Sequence, residues 1–97
     1  MSKTSYTRKH AQASQIMHDL GEGWSANMSE IDNAWTFEVI KGRTTIRPLG
    51  EYFAADIRIG PHFHGTEVTA LAALVTAMEQ MDKYIVKLSM QKAELLG

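Results

Sequence analysis

Nothing breaks the chain between Gly65 and the last residue, Gly97: the stretch holds neither proline nor glycine. Its apolar residues return at alternating three- and four-residue steps. Leu71, Leu74, Met78, Met81, Ile85 and Leu88 follow that rule, and Lys92 and Leu95 continue the register. This spacing is the a/d seam of a helix sustained over more than three heptads. Thr66 is a suitable N-cap, and Glu67 suits the positive end of the helix dipole. A helix of about 31 residues is on the order of 46 Å long.

The preceding segment has a different period. In residues 23–60, Trp24, Ala26 and Met28 alternate with polar neighbours, as do Trp35, Phe37 and Val39, and then Phe53, Ala55, Ile57 and Ile59. Period two means strands with one buried face. Asp32-Asn33 and Lys41-Gly42 are turn chemistry, which makes the strands a meander. Residues 43–47 read as a further short strand, closed by Pro48 and Gly50. Both tryptophans share their strands' apolar alternation and are expected under the long helix. Residues 5–20 have a helical period through Tyr6, Ala13, Ile16, Met17 and Leu20, with Thr4 or Ser5 as the cap and Gly21 as a left-handed stop. The chain, 1–97, is therefore expected to be one α+β domain. It should hold an N-terminal helix, an antiparallel meander of three or four strands, and a long C-terminal helix packed on one sheet face.

Strands of this length span only about 20–30 Å, so the sheet covers roughly the front half of the long helix. Val68, Ala72 and Val75 add a second apolar stripe in that half alone. The front is expected to be buried on two sides and the rear on one. The rear stripe, through Met81, Ile85, Leu88 and Leu95, then has to meet the first helix, a second copy of the chain or another protein. The methionines suit such a surface, being unbranched and adaptable.

Composition removes several functions. The 97 residues contain no cysteine, which excludes disulfides, thiolate metal sites and cysteine nucleophiles. A net charge of −1 shows neither the basic excess of a dedicated nucleic-acid binder nor a strong acidic balance. Hydrophobic content of 44 % with 22 % charged residues belongs to a folded globule. The first twenty residues have no continuous apolar core of a signal peptide, and no run approaches the roughly 20 apolar residues of a membrane span. The expectation is a cytoplasmic protein without a membrane segment. No nucleophile elbow, phosphate-cradling glycine loop or metalloprotease helix occurs, which points away from an enzyme and from a bound cofactor.

The stretch Gly60–Val68, GPHFHGTEV, is chemically the densest. His62 and His64 are two apart, so in extended backbone both side chains point the same way. Two imidazoles on one face are half of a zinc or nickel site, which needs at least one more ligand. His10, His18, Asp19 and Glu67 are the available ligands, and no spacing makes them converge. The reading adopted is a strand-to-helix corner whose histidines cap free backbone groups, with metal binding as an alternative.

Lys41, Arg43 and Arg47 cluster about one hairpin, and Arg58 shares a polar strand face with Tyr52. Tyrosine and arginine are frequent anchors of protein recognition. Helix–meander–helix resembles the double-stranded-RNA-binding domain in element order. That family grips phosphates with a lysine cluster opening its second helix, whereas here no lysine follows Gly65 until Lys83. The resemblance implies nucleic-acid binding through Lys41, Arg43, Arg47 and Arg58 as a second reading. The first reading is a small non-enzymatic protein that binds and sterically covers a larger protein. That character is shared by bacteriophage accessory proteins and by inhibitors of host defence such as anti-CRISPR proteins. Its partner surface is Tyr52, Arg58, Lys41, Arg43 and Arg47, with a homodimer through the long helix as a further expectation.

Overall fold

The computed structural model describes residues 2–96, side chains at 2–4, 89, 92, 95 and 96 excepted. Thr4, Lys92 and Leu95 therefore lie outside the described side chains. Helix α1 (Ser2–Leu20) is followed by strands β1 (Ser25–Ile31), β2 (Ala34–Lys41), β3 (Thr44–Leu49), β4 (Tyr52–Arg58) and β5 (His62–Glu67), and then by helix α2 (Ala70–Leu96). The strands form one antiparallel sheet in sequence order, β1-β2-β3-β4-β5. The α+β architecture is the one the periodicity dictates, with a five-stranded meander in place of three or four.

Local chemistry explains the turns. Asp32 and Asn33 have φ of 52° and 63°, the pair of left-handed residues that a type I′ hairpin demands. Gly42 and Gly50 take φ of 58° and 61° at the first position of two further two-residue turns. Helix α1 ends as expected: Gly21, at φ 106°, donates its N–H to the Met17 carbonyl oxygen at 3.1 Å. Pro48 lies inside β3 and is tolerated because the β2–β3 ladder stops at Val39↔Ile46, before proline's missing donor would be needed.

Both helices pack on the same sheet face. Across the strands, Val39, Ile46, Ala55 and Gly65 are in register and point inward. With Phe37, Ile57 and Phe63 they meet Ala13 and Ile16 of α1 and Ala70, Ala73 and Ala77 of α2. The first helix lies over β2: the Tyr6 ring stands edge-on to Trp35, with centroids 4.9 Å apart. Trp35 is thus under α1, not under the long helix, because α2 lies over β4 and β5.

The segment expected to be a corner is the fifth strand. Its alternation is complete: Phe63 and Gly65 face inward while His62, His64 and Thr66 face outward. A glycine at an inward position disguised that pattern. The edge of β4 offers unpaired backbone groups, and pairing with them satisfies the donors and acceptors of 62–67. The helix therefore starts later, at Ala70. Its cap is Thr69, whose Oγ1 accepts the Ala72 N–H at 3.2 Å, not Thr66.

Gly65 also decides how α2 sits. A Cβ built there would lie 2.3 Å from the Ala73 carbonyl oxygen and 2.7 Å from the Ala77 nitrogen. The helix backbone thus rests almost directly on the sheet, with the small residues Ala73, Thr76 and Ala77 over Gly65. This changes the expected orientation. The buried stripe is Ala70, Ala73 and Ala77, with Leu74 and Met81 half-buried, while Leu71, Val75 and Met78 are exposed. Val68 and Val75, expected to be covered, are 66 % and 45 % exposed. Past Met81 every described side chain of α2 is exposed. Those last 15 residues extend the molecule by roughly 22 Å at 1.5 Å per residue, and its overall dimensions are 64 × 27 × 21 Å.

Candidate functional site

No helix covers the outer sheet face. Register brings Asp56 of β4 opposite His64 of β5, and Arg58 opposite His62. Two-residue alternation points all four outward. Asp56 is the only buried charged residue among the described residues, its side chain 12 % exposed, while the histidine side chains are about half exposed, at 48 %.

One oxygen joins the three. Asp56 Oδ1 accepts from His62 Nε2 at 2.7 Å and from His64 Nδ1 at 2.8 Å. A carboxylate only accepts, so these bonds define the tautomers: the proton is on Nε2 of His62 and on Nδ1 of His64. When neutral, His64 uses Nε2 to accept from the Thr66 hydroxyl, 2.8 Å away. Burial pushes the Asp56 carboxyl upward, but the hydrogen bonds from His64 and His62, and their charge when protonated, outweigh it. The carboxyl is held below its ordinary value.

Donor atoms of Asp56, His62 and His64 lie within 4.8 Å of one another, the one such group of three among the described residues. The other ligands weighed from the sequence do not join it. Glu67 points to the opposite face and accepts from the Thr76 hydroxyl at 3.0 Å. Asp19 accepts from Gln15 Nε2 at 3.0 Å on α1, and His10 stacks on Tyr6 of the same helix. The third member, Asp56, was visible in the sequence only as an outward residue of its strand. Pairing it with His64 required 62–67 to be a strand.

The residues expected to form a partner surface are spread out. Tyr52 and Arg58 share the outer face but occupy opposite ends of β4. Arg47 and Arg58 border a shallow hollow with Glu38, Thr45 and Asp56. Within that hollow two acids offset the two arginines. Lys41 belongs to the other face, and its Nζ donates to the Glu22 carbonyl at 3.0 Å. Arg43 is at the exposed β2–β3 turn.

A larger hollow, about 500 Å³, opens between the end of α1 and the start of α2. Its walls are Ile16, Phe53, Val68, Ala70 and Leu71, with Asp19 and Thr69 the polar members. That lining can take an apolar side chain but assembles no reactive groups.

Of the residues expected at a helix interface, Ile85 and Leu88 are 51 % and 46 % exposed, whereas Met81 packs against the core. Helix α1 meets α2 only briefly and leaves the rear half uncovered. Around the axis, Leu71, Val75, Met78 and Ile85 are centred about 120° from the alanines that face the sheet, at 3.6 residues per turn. Among the described residues, no helix is long and apolar enough to cross a membrane. The chain matches no protein-family model, no curated protein and no solved structure.

Proposed function

We propose that the protein is a non-enzymatic protein-binding module whose contact element is α2. One observation carries this reading: apart from Leu74 and Met81, the large apolar side chains of α2 are left uncovered by the protein's own core. A helix packed on a sheet ordinarily buries its leucines and methionines and exposes its small or polar residues. Here the sheet takes alanines, and Leu71, Val75, Met78, Ile85, Val86, Leu88 and Met90 remain 44 % exposed or more. Scattered exposed apolar residues need no explanation, but Leu71, Val75, Met78 and Ile85 lie within about 80° of one another around the axis, and such a stripe along one helix is the mark of a contact surface.

A second copy, pairing helix to helix, is the simplest occupant, and it leaves both open sheet faces available to a larger protein that the module would cover. The test is mass in solution by light scattering, for the unaltered chain and for Ile85→Asp and Leu88→Asp. We expect twice the chain mass for the former, and the single-chain mass with unchanged circular dichroism for the variants. A single-chain mass for all three at tens of micromolar would remove self-association and leave a different protein as occupant. Unfolding of both variants would overturn the reading, because the row would then belong to this chain's own core.

A further inference from the structure

We infer that Asp56, His62 and His64 form a surface site for a first-row divalent transition metal, of the zinc, nickel, copper or cobalt class. The site is independent of the α2 surface and lies on the opposite side of the sheet.

Three features of the geometry carry this. First, the donors already converge. His62 Nε2 and His64 Nδ1 both lie within 2.8 Å of one carboxylate oxygen, and all three donor atoms fall within 4.8 Å of each other. Ligand atoms around one metal are at roughly 2.0–2.2 Å from it for nitrogen and oxygen donors, which puts neighbouring ligands about 3 Å apart. Both imidazole side chains are about half exposed, which leaves the rings room to turn and open the centre. Second, the donor set is selective. Two imidazoles with one carboxylate and no thiolate suit borderline divalent ions; magnesium and calcium prefer sites built from oxygen alone. Third, a supporting partner is in place. A ligating histidine commonly donates its other ring N–H to a nearby oxygen. With Nδ1 of His64 on the metal, the ring proton moves to Nε2 and donates to Thr66 Oγ1, 2.8 Å away. The hydroxyl reverses its role, which a hydroxyl can do and a carbonyl cannot. His62 shifts its proton from Nε2 to Nδ1 in the same way, so a neutral ring binds without net loss of a proton.

The surroundings limit the strength. Arg47 and Arg58 flank Asp56 and oppose a cation, while Glu38 in the same hollow favours it. Three protein ligands on an open face leave the remaining positions to water, so the site is not a closed structural one.

The test uses full-length chain purified without a histidine tag and stripped with chelator. Titration calorimetry with Zn²⁺, Ni²⁺ and Co²⁺, with Mg²⁺ as the control, is expected to give one ion per chain for the transition metals and none for Mg²⁺. His62→Asn and His64→Asn, both at exposed positions, should each weaken binding by tenfold or more with unchanged circular dichroism. Thr66→Val should weaken it by about tenfold while keeping the stoichiometry, in the range found for second-layer partners. Ring signals of His62 and His64, but not of His10 and His18, should broaden on addition of Ni²⁺. No binding at millimolar metal would overturn the inference. So would equal affinity in the two histidine variants, or broadening confined to His10 and His18.

Discussion

A methyl group added at Gly65 would meet the Ala73 carbonyl oxygen at 2.3 Å, a backbone atom that cannot rotate aside. Gly65→Ala therefore has to lift α2 off the sheet. We expect a loss of about 1–3 kcal/mol, the usual range for overpacking, read by chemical denaturation; stability equal to the parent would show that the helix tolerates displacement. Asp56 presents the opposite situation, a group whose partners stabilise it. Its folded pKa is below the unfolded value, so its contribution is complete above the ordinary carboxylate range and fades as pH falls through the folded value. In denaturation curves taken from pH 6 down towards pH 2, Asp56→Asn should flatten the acid-side loss of stability. An unchanged slope would mean that the His62 and His64 bonds do not persist in solution.

Among the elements, the hairpins have the clearest sequence origin. Asn33 occupies a left-handed position at φ 63°, so Asn33→Val should cost about 1–2 kcal/mol, and Asn33→Gly should be neutral or mildly stabilising, as thermal melts would report. Both outcomes follow from backbone sterics and need no tertiary contact. Strand β5 is the contrary case. The sequence of 60–68 carries its alternation, but Gly65 blanks one inward position and the following helical period draws Thr66 towards the helix. What makes it a strand is the open edge of β4. The candidate site suffered from the same gap. His62 and His64 stood out by type and spacing, while Asp56 became their partner only through the β4–β5 register. For α2, length and continuity were plain in the residues; which side meets the sheet was not, because the a/d seam has more apolar area than the alanines that prevail at the contact.

For the whole molecule, one layer of helices on one sheet face leaves two surfaces: the polar outer face with its histidine–aspartate cluster, and the apolar side of α2. If α2 pairs between copies, the melting temperature should rise with protein concentration, by the mass-action rule for association. It should do so in the unaltered chain and not in Leu88→Asp, as scanning calorimetry over a hundredfold range of concentration would show. A concentration-independent melt in both would argue against association at the scale of the fold.

Local periodicity, turn residues and the absence of helix breakers determine the elements here, because each depends on sterics and burial within a few neighbouring residues. They suffice for a helix, a meander and a long second helix, and for the stop at Gly21 and the turn at Asp32-Asn33. Only the tertiary structure decided which helix covers which strands, that Gly65 draws α2 down onto alanines, and that one carboxylate gathers two histidines. Those outcomes arise from strand pairing and close packing between distant segments, where excluded volume and register, not local preference, choose among faces of similar hydrophobicity.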